Sequence, residues 1–162
     1  MATRPGDSVP VDWFWEGAVQ DVLAAWLAAN GWTIRSTADT ASRQRGVDVL
    51  AEKDGRTLAV EVKGYPATTY SRGDKKGLPK PSSPTTQARH WFSHALLTAA
   101  MVAPDTEVAM AFPDFPRFRG LVERSEWSLR RLGVGVYFVR EDGTVDMPIP
   151  HASRAHAGFD MA

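Results

Sequence analysis

The chain has 162 residues, 43% of them hydrophobic, which fits one globular domain, 1–162, with a buried core. It contains no cysteine, which excludes disulfides and thiolate zinc sites and fits a cytoplasmic location. Nineteen basic residues balance nineteen acidic ones, so a nucleic-acid partner must be met by a local basic surface rather than by overall charge.

Residues 1–11 carry no apolar signal core and read as loose. The longest apolar run, 22–29, is too short to span a bilayer, so no membrane partner is expected. A helix is predicted over 12–30, with Asp12 as N-cap and Asn30-Gly31 as its stop. Val19, Val22, Leu23, Trp26 and Leu27 form its apolar stripe. Glu16 lies in the first turn, where an acid favours the helix dipole, but its bearing flanks the buried stripe, where an acid needs a partner. A short strand over 32–36 and a polar connection over 37–45 follow.

Asp54-Gly55 between two apolar-rich runs predicts a hairpin with strands over 47–52 and 57–63. A two-residue turn pairs Lys53 with Arg56 and carries Asp48 opposite Glu61, with Cβ atoms ~5 Å apart on one face. Val49, Ala51, Leu58, Val60 and Val62 occupy the other face, which is the core side. The acids could be ordinary residues of a wet face paired with Lys63 and an arginine. Opposed like charges are destabilising, however, and carboxylate oxygens suit Mg²⁺ or Mn²⁺. Lys63 shares the face ~7 Å along the strand, a distance suited to a base or positioner rather than a direct ion pair. The pattern is that of a metal site with an amine beside it.

The stretch 64–86 is a long loop with three Gly, four Pro and a net charge of +3 from Arg72, Lys75, Lys76 and Lys80 against Asp74. Tyr65 and Tyr70 are interleaved with these cations, a composition suited to phosphate contacts and base or sugar stacking. A helix is predicted over 86–102, with Ala88, Trp91, Phe92, Ala95, Leu96 and Ala99 inward. His90 and His94 have helical zinc spacing, but without a third ligand they read as surface histidines. A buried strand over 107–112, a helix over 117–132 and a strand over 134–139 follow, the two strands expected to be parallel. Leu121, Val122, Leu129 and Leu132 are expected to face inward from that helix. Residues 143–162 show no periodicity and read as loose.

Gly46-Val47-Asp48, the hairpin and Glu61-Val62-Lys63 together resemble the PD-(D/E)xK nuclease superfamily, most closely Mrr-type endonucleases and Holliday-junction resolvases. Val47 stands where the motif has its Pro. Glu16 resembles the superfamily's additional upstream acid, and Gln87 with Trp91 is similar to a Gln-x-x-x-Tyr element of some branches, with Trp in place of the Tyr. The resemblance spans residues 16–112. It implies a restriction endonuclease-like α/β fold, a mixed sheet with core order α-β-β-β-α-β, here extended by a helix and a further strand. It also implies Mg²⁺, with Mn²⁺ able to substitute, held by Asp48, Glu61, the Val62 carbonyl and Glu16, and a catalytic set of Asp48, Glu61, Lys63, Glu16 and Gln87.

The expected function is a metal-dependent DNA endonuclease of restriction, phage defence or DNA repair, with Arg72, Lys75, Lys76, Lys80, Tyr65 and Tyr70 meeting the DNA. A Holliday-junction resolvase is an alternative within that reading. A non-catalytic DNA-binding module of the same fold is an alternative outside it, and the intact Asp48, Glu61 and Lys63 argue against it. A two-carboxylate glycosidase is disfavoured by Lys63 beside the acids. No specificity domain is evident in the sequence, so sequence recognition is expected to be weak, absent or supplied by a homodimer or a partner protein.

Overall fold

The computed structural model describes residues 15–38, 47–70 and 73–152. The predicted loose start, the first three residues of the predicted helix, most of the 37–45 connection, Arg72 and residues 153–162 of the predicted loose end lie outside the described residues.

Nine elements follow one another: α1 (Glu16–Ala29), β1 (Thr33–Thr37), β2 (Val49–Lys53), β3 (Arg56–Val62), α2 (Pro84–Ala100), β4 (Glu107–Pro113), α3 (Pro116–Leu132), β5 (Val134–Val139) and β6 (Val145–Ile149). They build a mixed α/β fold around one six-stranded sheet in the sequential order β1-β2-β3-β4-β5-β6. The first three strands are antiparallel, β3, β4 and β5 are parallel, and β6 returns antiparallel. No helix among the described residues is long and apolar enough to cross a membrane.

The hairpin has the expected register, with Lys53 opposite Arg56 and Val49 opposite Val60. Asp54 at φ 50 and Gly55 at φ 72 make both turn residues left-handed, the geometry that matches the twist of the flanking strands. Each parallel step needs a crossover, and α2 and α3 supply them. α2 begins at Pro84, with Ser83 capping through its side chain onto the Thr86 amide at 3.2 Å. α3 ends at Gly133, whose φ of 68 is the left-handed cap conformation.

Helices cover both faces of the sheet. α1 buries Val19, Leu23 and Leu27 against Val49, Ala51, Leu58, Val60 and Val62, as expected. On the opposite face α2 and α3 bury Ala88, Phe92, Ala95, Phe118, Val122 and Leu129 against Val108, Met110, Phe112, Val136 and Phe138. Leu132, expected inward, is half exposed at the last residue of α3, and Phe118 takes the inward position instead. The face carrying Glu61 is therefore covered, which removes the wet-face reading of the acids.

The stretch 143–162 is not wholly loose. Val145–Ile149 forms β6, and Ile149 is fully buried. The chain then passes so close to β5 that a Cβ on Gly135 would lie 2.6 Å from the His151 amide nitrogen, so only glycine fits there. This docking builds a polar network that was not anticipated. Glu107, 6% exposed in its side chain, receives Arg56 Nη2 at 2.9 Å and faces His151 Nδ1 at 3.0 Å. His151 Nε2 lies 2.8 Å from the Tyr137 hydroxyl. A neutral imidazole satisfies both contacts by donating from Nδ1 and accepting at Nε2.

Burial pulls the His151 pKa down, outweighing the pull of Glu107 in the other direction. A histidine held neutral contributes stability above its unfolded pKa of about 6.5, and that stability is lost as pH falls below it. His151→Ala should lower the melting temperature at pH 8 by roughly 2–8 °C, the cost of about 1–2 kcal/mol of lost hydrogen bonding. The gap from wild type should narrow between pH 6.5 and 5, and a gap that stays constant would mean that His151 does not titrate there.

Candidate active site

The site is built at the carboxyl end of β3, the side on which open α/β sheets leave a crevice for ligands. Asp48 stands one residue before β2, and its Oδ2 accepts the Val62 amide at 2.6 Å. This bond closes the hairpin where the regular ladder stops, and it aims the carboxylate across β3 rather than into solvent. Glu61 lies on the α2 side of β3, one residue before Val62. Asp48, Glu61 and Lys63 are 8%, 5% and 8% exposed, a burial that charged groups tolerate only with partners.

The partners are local. Lys63 Nζ donates to Glu61 Oε1 at 2.6 Å and lies 4.0 Å from Glu16 Oε2. The expected separation between Lys63 and the acids is thus corrected: with both side chains buried on one face, the ammonium makes a direct ion pair with Glu61. Glu16 reaches the group from the first turn of α1, where it meets Lys63 as well as favouring the helix dipole. His94 Nδ1 lies 3.5 Å from Glu61 Oε1 although the histidine is largely exposed. Its exposure agrees with the expected surface position, and the contact with Glu61 adds to it. Its spacing of seven residues from Gln87 puts both on one helical stripe, and that signal points it towards the sheet.

The electrostatics are unbalanced towards negative charge. Burial raises the Glu16 pKa to about 7, against the lowering effect of Lys63. Burial and then the neighbouring Glu61 raise Asp48 to about 6, against the Val62 hydrogen bond. One lysine does not neutralise three carboxylates. Glu61 Oε2 is buried with no hydrogen-bond partner. An orphaned carboxylate oxygen beside a second acid is what a divalent cation bound by oxygen would satisfy, so the donor set fits Mg²⁺ or Mn²⁺. Among the described residues no three His, Asp or Glu side chains converge as a ready-made shell. Lys63 on Glu61 Oε1 and the Val62 amide on Asp48 Oδ2 account for two of the oxygens.

Gln87 belongs to a different arrangement. Its Nε2 donates to the Ala67 carbonyl at 2.8 Å and to the Ser82 carbonyl at 2.9 Å, and Lys80 Nζ donates to its Oε1 at 3.3 Å. None of these bonds goes to the acids, so the buried amide clamps the two ends of the long loop. The loop is itself ordered by backbone bonds, with Tyr70 N donating to Leu78 O at 3.0 Å and Lys80 N to Thr68 O at 2.8 Å.

Its cations divide accordingly. Lys75 and Lys76 are exposed. Lys80 turns inward, 5.7 Å from the ring centres of both Tyr70 and Trp91, and burial lowers its pKa. Tyr65 packs on Phe115 with ring centres 4.5 Å apart, as part of the core beneath the loop. Lys80 and Lys75 each place their Nζ 5.7 Å from the Tyr70 ring centre.

No protein-family model matches the chain, and no curated protein matches it. Among solved structures it is similar to an XisH family protein from Nostoc punctiforme, 18% identical, with 80% of this chain and 96% of that one covered and a TM-score of 0.46. It is similar also to a fdxN element excision controlling factor protein from Anabaena variabilis, 17% identical over the same shares, with a TM-score of 0.44. Neither likeness bears on the chemistry of the site.

Proposed function

We propose that the protein is a metal-dependent DNA endonuclease of the PD-(D/E)xK superfamily, with a restriction endonuclease-like core from α1 to β4, and that it works in the cytoplasm. The observation that carries this reading is the buried meeting of Asp48, Glu61 and Lys63 beside Glu16, with one Glu61 oxygen left unpartnered. A structural ion-pair network would be expected to satisfy that oxygen; a cation site leaves it available.

Asp48 and Glu61 would hold Mg²⁺, with the Val62 carbonyl and Glu16 completing the set by resemblance. A bound divalent ion neutralises phosphate charge and lowers the pKa of water. The chain's own residues do the rest. Lys63, held by Glu61, orients the attacking water and offsets the negative charge that builds on the phosphate as the new P–O bond forms and the ester bond breaks. Glu16 sets the position of the Lys63 ammonium. His94 at the mouth of the site reaches a phosphate of the bound strand. Gln87 acts at one remove, by holding the loop in place.

Incubating the protein with duplex, single-stranded, branched and methylated DNA in Mg²⁺, Mn²⁺ or EDTA tests the reading. Cleavage of at least one substrate with either ion and none in EDTA is the expected result. Full activity in EDTA, or no cleavage of any DNA, overturns it. The branched arm separates a resolvase from a restriction or defence enzyme.

Lys75, Lys76 and Arg72 would bind the DNA backbone from the loop. Replacing all three with Gln should weaken DNA binding and flatten its salt dependence by about two to three in log–log slope. Lys80 is left out because its inward contacts make Lys80→Gln a stability change as well. The melting temperature of the triple variant should stay within about 1 °C of wild type, since Lys75 and Lys76 are exposed and substitutions in surface loops cost little. An unchanged slope would return the loop to the role of a linker.

A further inference from the structure

A cavity of about 450 Å³ opens between the long loop and the start of α3, and its wall begins at Tyr65, two residues beyond Lys63. That size lies within the range of sites that bury a small organic group. The wall is aromatic and basic in a particular order. Tyr65 and Phe115 form one side, with ring centres 4.5 Å apart. Tyr70 closes the cavity from the loop, and Thr68 lies between the two tyrosines in the lining. Lys76 and Arg117 also belong to the lining. The Arg117 guanidinium is held over the Phe115 ring at 5.3 Å, with its Nε donating to Thr85 Oγ1 at 2.6 Å. The Arg117 guanidinium is thus placed by contacts within the protein, and among the described residues the lining holds no acid.

A flat aromatic group with an anion attached matches this arrangement better than a peptide or an aliphatic ligand. Aromatic side chains stack on any base, and paired lysine and arginine groups bind the phosphate that a nucleotide carries. A base inside a paired duplex cannot reach such a cavity without leaving the stack. We infer that the cavity beside Lys63 receives one unstacked nucleobase of the DNA substrate, with Lys76 and Arg117 on its adjoining phosphate. The inference rests on the nuclease reading and narrows it. The substrate carries an unpaired nucleotide at the cleavage position, as in a bulge, a branch or a single strand.

The test is equilibrium binding of labelled duplexes in EDTA, so that no cleavage intervenes. One duplex is fully paired and the other carries a single central bulged nucleotide. Wild-type protein should bind the bulged duplex about 10-fold more tightly, the effect of stacking one base. The cavity-filling double variant Ala67→Leu/Thr68→Leu should bind both duplexes with the wild-type affinity for the paired one. Arg117→Gln should reduce the preference. Equal wild-type affinity for the two duplexes overturns the inference, as does a preference that survives in the filled variant. If the paired duplex is bound and is cut once Mg²⁺ is added, without any preference for the bulge, the cavity assignment alone fails. If neither duplex is bound and no form of DNA is cut once Mg²⁺ is added, the nuclease reading fails with it.

Discussion

Asp48→Asn should abolish cleavage, by about 10³-fold or more, and yet raise the melting temperature in EDTA. The rate loss follows because a divalent ion contributes several kcal/mol to phosphate chemistry, and each ~1.4 kcal/mol is tenfold. The gain in stability follows from the electrostatics of the pair. Burial and Glu61 already push the Asp48 pKa up to about 6, so at pH 8 the folded state carries a carboxylate it disfavours. The sign is that of an acid with a raised pKa, which costs stability as pH rises through that value. Asparagine removes the charge and keeps an oxygen for the Val62 amide. A gain of about 1 kcal/mol would show as roughly 2–4 °C.

Glu61→Gln should lose cleavage equally but melt lower in EDTA, because it takes away the ion-pair partner of buried Lys63. Thermal melts of both variants in EDTA, beside cleavage assays in Mg²⁺, read the two signs directly. Opposite signs are specific to this geometry. If both variants cut DNA at the wild-type rate, Asp48 and Glu61 hold no catalytic metal.

Lys63→Met should reduce turnover by roughly 10²–10⁴-fold, the range for losing a group that acts on the proton or charge in the transition state. It should also lower the melting temperature in EDTA by roughly 10 °C, since breaking a buried ion pair leaves an uncompensated charge costing about 3–5 kcal/mol. Mg²⁺ should restore part of that loss, because the ion then neutralises the carboxylates that Lys63 served. Single-turnover rates measured beside calorimetric Mn²⁺ binding separate the two effects. Near wild-type turnover with a depressed melting temperature would make Lys63 a structural partner only. A melting temperature indifferent to Mg²⁺ would argue against the cation site itself.

What the sequence determined by itself was local order. The Asp54-Gly55 turn imposes a two-residue loop, and the alternation of Val49, Ala51, Leu58, Val60 and Val62 allows one register, so the pairing of β2 with β3 was legible from residues alone. The same holds for β5, an apolar run bounded by Gly133, and for the stripe of α1. Tertiary structure decided everything that depends on what packs against those elements. Whether Asp48 and Glu61 face water or a helix cannot be read from β2 and β3, because the cover comes from α2, more than twenty residues beyond Glu61. The direct bond from Lys63 to Glu61, the inward turn of Lys80 and the capture of Gln87 by Ala67 and Ser82 have the same origin: buried polar groups take whichever partner the fold brings near. β6 escaped sequence reading because its pattern is mostly polar and exposed, with Ile149 alone fully buried, so pairing to β5 rather than periodicity makes it a strand. His151 joined Glu107 and Tyr137 for the same reason, since a contact across 44 residues leaves no trace in local pattern.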